Sequence, residues 1–444
     1  MRRQGSILIG LLWCVVLLSL LVVGVLHTAR MNLMVGKNYG DRIQARYLAL
    51  AGIEKAKALL YKNARERTRN GKHHDGELYN SPAQFREVVL GRGTFSVLRR
   101  ARADEGSGVA YGVGDEESRL NVNTASADQL AKLPNLTPDI ATAILGWRGG
   151  GQTAAAEADY YASLQPPSQP RNAPFETVRE LLLVRGVTPE LFLRQDVHQN
   201  GMTEISDDAP SDATRFENVP ADDNLGWAGV LTVDSAVKDV NAAGEARVNV
   251  QSADENKLAT IRGFTPEIAR AITAYRGQNR FQSIADLLDV KPAQNQNNSS
   301  GHSSGSGQGQ SSGPNVISEN LFMDIADDVT VSDNDTLTGA VNLNTAGLTV
   351  LCSLPDVDRN LAQAIISYRQ SNGFFKNLGE LLKVDGLNRQ IFKGLAPLVS
   401  VRSETFRILC EGRIKSTGTR QRVQVIVRVG TDAVKTLSYR EDDL

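Results

Sequence analysis

A preponderance of either charge is missing from this chain: 49 lysines and arginines face 50 aspartates and glutamates, a formal net charge of −1 over 444 residues. That balance excludes a global electrostatic case for binding nucleic acid or an anionic membrane surface. Cysteine is scarce as well. Cys14, Cys352 and Cys410 are the three, and their spacing fits no metal-ligand or redox motif. A Cys352–Cys410 disulfide is one reading for an oxidising compartment; two separately buried thiols is the preferred one. No Gly-x-x-x-x-Gly-Lys-Ser/Thr occurs, which excludes nucleotide hydrolysis through a phosphate-binding loop. Proline is absent before Pro82, so nothing upstream of it must interrupt a helix. The rest is ordinary globular composition, 41% hydrophobic and 22% charged.

What the chain does have, first, is an apolar run. Ile7 to Leu26 reads ILIGLLWCVVLLSLLVVGVL, long enough to cross a bilayer as a helix. Arg2 and Arg3 precede it, so the positive-inside bias predicts a cytoplasmic N-terminus and translocation of everything beyond residue 27. Its far end, His27-Thr-Ala-Arg30, is a poor signal-peptidase site, which predicts that the segment is retained. Beyond it Tyr39, Ile43, Tyr47, Leu50, Ile53 and Leu59 continue a helical pattern among charged residues. One helix from about Ser6 to about Tyr61 would be ~80 Å long at 1.5 Å per residue.

Two regions read as strands: 94–98 with 109–113, and 406–410 with 423–429, the second pair flanking a turn at 415–419; 436–439 adds a last strand. Strands at both ends of the soluble part predict one small domain interrupted by a large insertion. The insertion holds a threefold repeat. Its copies start at Asn123, Gln251 and Asn344, and in register follow Leu133, Ile261 and Leu354, then Ala141, Ala269 and Ala362, then Ile144, Ile272 and Ile365. An aromatic–arginine pair closes the first part of each copy: Trp147-Arg148, Tyr275-Arg276 and Tyr368-Arg369. Phe175, Phe281 and Phe375 open a second shared stretch ending in Leu-Leu. Each copy reads as helix, tight turn, helix. Thr124, Ser252 and Thr345 are the expected N-caps of the first helix. The turns fall at Pro134-Asn135, Gly263-Phe264 and Pro355-Asp356. Residues 149–173 and 293–315 are low-complexity, the second expected to be a disordered loop.

Catalytic chemistry is hard to find. Gly301-His-Ser-Ser-Gly305 and Gly309-Gln-Ser-Ser-Gly313 match a nucleophile-elbow pattern, but they lack the strand before and helix after that it requires. His73-His74-Asp75 reads as a solvated turn. Asp333 and Asp335, with Asp327 and Asp328 nearby, could supply calcium ligands by oxygen count, without the spacing of a known loop. Otherwise no cofactor is expected. The repeat resembles the helix-hairpin-helix motif, which in DNA-binding proteins grips phosphate with turn amides. Here the second turn glycine is missing and Asp139, Glu267 and Asp358 put carboxylates near the phosphate position. Nucleic acid is therefore not an expected partner.

The ensemble resembles the K-type minor pseudopilins of type II secretion. Arg2-Arg-Gln-Gly5 before Ser6-Ile-Leu-Ile-Gly10 is similar to a prepilin leader, cut after the glycine and methylated at the new N-terminus. The 45–54 stretch and the Leu120-Asn-Val-Asn-Thr-Ala125 motif at the head of a helical (SAM-like) insertion also fit. The resemblance implies an α+β fold: a long membrane and pilin helix on a small antiparallel sheet, interrupted by a large all-α insertion of three helix-hairpin-helix-like repeats. It implies a leader at 1–5, a membrane part at 6–27 and the rest of the helix at 28–66. The pilin-like domain would take 67–118 and 402–444, and the repeats 119–198, 247–292 and 318–401, with a connecting segment at 199–246 and the linker at 293–317. It further implies no catalysis, an inner-membrane anchor with a periplasmic bulk, and assembly with I- and J-type pseudopilins, the pseudopilus fibre and the secretion platform. A membrane-anchored DNA receptor of the competence type is the competing reading.

Overall fold

The computed structural model describes residues 4–102, 105, 108–149, 154–194, 226–292 and 315–441. One unbroken α-helix, Gln4–Asn70, opens the chain, as the absence of proline allows, and it runs two turns beyond the expected end. Its halves differ in surroundings. Every described side chain from 7 to 40 is exposed, while Ala45, Leu48, Ala49, Ile53, Ala56 and Leu60 are buried in one stripe at three- and four-residue steps.

That stripe lies on an antiparallel sheet in which Val88–Leu90, Gly93–Arg100, Thr405–Ile414, Arg420–Val429 and Val434–Arg440 are neighbours in that order. Two short strands, Val109–Ala110 and Gly114–Asp115, pair with Gly93–Arg100 and Thr405–Ile414. The strand Thr405–Ile414 pairs on one side with Gly93–Arg100 and on the other with Arg420–Val429. The two ends of the soluble chain thus share one sheet, and the intervening residues are an insertion into it. Phe95, Val97, Ile408, Cys410, Val423, Val425 and Val427 form the sheet side of the helix–sheet core.

Helix and sheet approach closely because small residues line the contact. A Cβ built on Gly52 would press on the Cys410 sulfur and lie 2.6 Å from Phe95 Cδ2. Overpacking of this kind costs roughly 1–3 kcal/mol. Gly52→Ala should therefore lower the unfolding free energy by that amount, read as a lower denaturant midpoint, whereas Gly36→Ala, inside the same helix where a Cβ meets nothing within 4 Å, should not lower it.

Cys352 is half-buried and Cys410 fully buried, and no disulfide joins the two. The insertion holds a single contiguous apolar core running through all three repeats. It is not purely helical. Leu120–Asn121 pairs with Leu231–Thr232, Val248–Asn249 with Val329–Thr330, and Val341–Asn342 with Val399–Ser400, each pair parallel. Each unit thus opens and closes on adjacent two-residue strands. Within the 149–173 stretch the described residues include a helix, Ala154–Ala162, whose Tyr161 packs edge-on against Trp147.

Candidate functional site

Two features are candidates for a functional role: the exposed half of the first helix and the repeat array. From Ile7 the helix is long and apolar enough to cross a membrane, and its most apolar stretch touches nothing in the chain. Gly5 and Ser6 fall in its first turn. Gly10 lies within the exposed apolar run, with open space where a Cβ would be. Arg2 and Arg3 lie outside the described residues.

The repeat is built from a small set of contacts used three times. The residues that open each copy staple its two parts together. Asn123 Nδ2 donates to the Phe175 carbonyl at 3.0 Å and Oδ1 accepts from the Phe175 amide at 2.7 Å. Asn344 makes the same pair with Phe375, at 3.0 and 2.7 Å. Gln251 Oε1 accepts from the Phe281 amide at 2.9 Å. The arginine of each aromatic–arginine pair reaches back to two carbonyls at the head of its own unit. Arg148 donates to Val122 and Ala125, Arg276 to Val250 and Ala253, and Arg369 to Leu343 and Ala346.

The hairpin turns match in conformation as well as position. Asn135, Gly263 and Asp356 adopt left-handed backbone with φ of 60°, 83° and 55°, a region that glycine, asparagine and aspartate tolerate best. Pro134 and Pro355 precede two of them. Leu136, Phe264 and Val357 follow and turn inward to the core. The Pro134 carbonyl accepts from Trp227 Nε1 at 2.9 Å.

The N-caps of the first helices are not Thr124, Ser252 and Thr345. Helix Ala127–Ala131 is capped by Ser126 and Glu255–Leu258 by Asp254, and Leu348–Ser353 follows Gly347. The cause is a preceding asparagine in each copy. Asn121, Asn249 and Asn342 accept with Oδ1 from the amide two residues on, at 2.9, 2.8 and 3.0 Å. This side-chain turn delays the helix. A signal for it was present in Asn-x-Asn/Gln-Thr/Ser-Ala. Its counterpart is a closing motif, Leu231-Thr-Val-Asp-Ser235, Val329-Thr-Val-Ser-Asp333 and Val399-Ser-Val-Arg-Ser403. The same asparagines donate to its last residue: to Ser235 Oγ at 3.0 Å, Asp333 Oδ1 at 2.6 Å and Ser403 Oγ at 2.6 Å.

Asp333 is thereby engaged inside its unit. The Asp335 carbonyl accepts from the Asp239 amide, and Asp327 is paired with Arg247 at 2.9 Å and with Arg402. Among the described residues no group of three or more His, Cys, Asp or Glu side chains is arranged to hold a metal. The two Gly-x-Ser-x-Gly matches lie outside the described residues. His73-His74-Asp75 is not a solvated turn. His74 is half-buried and stacks on Tyr79 at 5.2 Å and on Phe374 at 6.4 Å. Burial and the nearby Arg67 and Arg402 lower its pKa to about 3.

A buried polar knot joins the array to the sheet. Asp115 Oδ2 accepts from Tyr79, Asn342, Thr345 and Ser403, and Glu117 accepts from the amides of Ala236 and Thr405. Glu116 accepts from Arg407 Nε and Thr232 Oγ1, each at 2.6 Å. Burial alone would raise the Glu116 pKa; the charges of Arg407 and Arg119 and the bonds from Thr232 and Arg407 outweigh it and hold it at about 2. Burial and the Asp115 charge push Glu117 well above the carboxylate range. The knot fixes the orientation of the insertion on the sheet.

The geometry defines a class first: an α+β protein with one membrane-type helix and a stack of helix-hairpin-helix units. Residues 117–196 match the family described as type II secretion system (T2SS), protein K. Residues 244–293 and 338–400 match the helix-hairpin-helix motif. With the first of these matches, the resemblance to the type II secretion protein K family stands. The endonuclease/exonuclease/phosphatase family domain-containing protein 1 of Mus musculus is 28% identical over 159 residues, 32% of this chain and 26% of that protein. The chain therefore spans about a quarter of the length of these curated relatives. ComE operon protein 1 of Bacillus subtilis is 36% identical over 62 residues, 14% of this chain and 30% of that one. A crystal structure of the GspK-GspI-GspJ complex from the enterotoxigenic Escherichia coli type 2 secretion system is 12% identical. It covers 93% of this chain and 98% of that one at a TM-score of 0.35, too low to bear on fold or function here.

Proposed function

We propose that this protein is a minor pseudopilin of a type II secretion system, cleaved between Gly5 and Ser6, methylated at the new N-terminus and anchored once in the inner membrane with its bulk in the periplasm. It acts by assembly and not by catalysis, at the tip of the pseudopilus beside I- and J-type partners. The observation that carries the reading is the first helix: one half apolar and exposed on every side, the other seated without a break on an antiparallel sheet. A helix exposed all round in this way needs lipid or neighbouring apolar helices to cover it. The partner assignment rests on the family resemblance.

The DNA-receptor reading is less favoured on local chemistry. Thr137, Thr265 and Asp358 already accept from first-turn amides of the second hairpin helices, so these helix N-termini have an internal acceptor where phosphate would bind. The repeat arginines are turned inward to carbonyls of their own units.

Processing tests the proposal. Glycine is the small residue between the basic leader and the apolar run, so N-terminal sequencing of the protein from cells with prepilin peptidase should read Ser6-Ile-Leu-Ile. An intact Met1 there would refute the pseudopilin reading.

A further inference from the structure

We propose that the cleft between the end of the first helix and the base of the insertion is a binding site for a carboxylate carried on a peptide. The cleft is a cavity of about 790 Å³ bordered by the last turns of Gln4–Asn70, the 72–79 loop, and the segments around Lys238 and Arg402. That volume suits a ligand of several residues, since small-molecule sites span roughly 300–1,000 Å³. Its walls are mixed. Leu60 and Phe406 supply apolar surface, Glu66, Asp75 and Glu77 carry negative charge, and Arg67, Lys238 and Glu404 add charge of both signs.

These three charges are the unusual feature. Arg67 uses Nε on Asn63 Oδ1 at 2.8 Å, and its two terminal nitrogens have no partner among the described residues. It also has no ion-pair partner there, and burial lowers its pKa. The Lys238 ammonium likewise has no partner among the described residues. Glu404 accepts from the Lys238 amide at 3.2 Å with one oxygen, and its other oxygen accepts from no donor among the described residues. Arg402, by contrast, is committed to Asp327 and the Val240 carbonyl. Partly buried charges without hydrogen-bonded partners are costly; here a guanidinium and an ammonium border one cleft with no ion pair to either among the described residues, although the charges of Asp75 and Glu404 act on Arg67 and that of Lys238 on Glu404. A carboxylate satisfies the guanidinium in bidentate fashion and the ammonium as a point charge. An amide N–H beside it satisfies Glu404. A peptide carboxylate, from an aspartate or glutamate side chain or from a C-terminus, has both groups. His74 borders the cleft but is neutral across the physiological range, so it adds no charge of its own to the site.

The test uses the full-length protein in detergent micelles and four probes by calorimetry: an acetylated and amidated apolar peptide with one aspartate, an apolar peptide with a free C-terminus, the same peptide amidated, and succinate. Saturable millimolar or tighter binding of one or both carboxylate peptides, with none of the neutral peptide, is expected. The first two arms separate a side-chain source from a terminal one. Arg67→Ala should weaken binding about tenfold or more, the size expected for lost charge-assisted hydrogen bonds. Lys238→Met should weaken it less, and it answers the question alone if the arginine variant does not fold. No binding of either carboxylate peptide, equal binding of the neutral peptide, succinate binding alone, or unchanged affinity in both variants would overturn the proposal. None of these outcomes depends on cleavage at Gly5.

Discussion

Arg369→Ala should destabilise the helical array by roughly 3–5 kcal/mol, the largest effect expected among the three repeated arginines. The Arg369 side chain is 4% exposed and one of its terminal nitrogens donates to the Leu343 and Ala346 carbonyls at 2.7 and 2.9 Å. Leu343 and Ala346 are themselves fully buried, so water cannot replace the lost donor. Each hydrogen bond from a charged group contributes about 1.5–3 kcal/mol, and a buried acceptor left unmade costs a comparable desolvation. Lysine is a poor rescue, because its ammonium ends one bond short of the terminal nitrogen that makes both contacts and stands on a more flexible stem. The same contact recurs at Arg148 and Arg276, which are half-buried, so alanine there should cost less, about 1–2 kcal/mol. Urea unfolding of the three variants, followed by far-ultraviolet circular dichroism, should rank Arg369 first. Equal midpoints for Arg369→Ala and the parent would show that the repeated arginine is not a structural clamp.

The repeat was legible in the sequence because its elements are periodic and its arginine and phenylalanine positions recur in register. Asn123, Gln251 and Asn344 marked the origin correctly, and the structure explains why: each closes on a phenylalanine some thirty to fifty residues away. The turns were legible for a related reason, since Asn135, Gly263 and Asp356 are residues that accept left-handed backbone. The unit ends were not. Two-residue parallel strands leave no alternation to detect, so the closing motifs at Thr232, Thr330 and Ser400 went unread. In the second unit 293–314 falls between Val290 and Val316, whose backbones nevertheless bond at 2.9 Å. The helix Glu319–Ile325 beyond it buries Phe322 as Phe192 and Phe392 are buried elsewhere. The knot at Asp115, Glu116 and Glu117 was invisible for another reason. Nothing local marks three consecutive acids as buried, and only the partners brought in from 232, 342, 403 and 407 make their burial tolerable.

On the pseudopilin function proposed above, a label on the soluble part should be found at one end of the pseudopilus, about once per fibre, and the reason lies at Gly10. With Ser6 as the first mature residue, Gly10 is the fifth, and no acid occurs between Ile7 and Leu26. The resemblance implies that major pilin-like subunits carry a glutamate at that place. Such a carboxylate costs roughly 2.5–3.5 kcal/mol in the bilayer centre unless partnered. Its partner is the N-terminal amine of a neighbour as a new subunit docks beneath those already assembled. A subunit without the carboxylate offers nothing to one above it, which is tolerable only where nothing is above. The insertion points the same way. It is fixed rigidly to the sheet through Asp115 and Glu117, so it cannot swing aside to let another subunit stack on it. Gly10→Glu introduces an acid into open apolar surface that touches nothing in its own chain. That variant should insert less efficiently when the protein is expressed without its partners, by less than the roughly 2.5–3.5 kcal/mol of the bilayer centre, since Gly10 lies near the N-terminal end of the apolar run. Gold labelling of the soluble part on sheared fibres settles the position: particles confined to one end support the first-placed subunit, and particles at intervals along the shaft refute it.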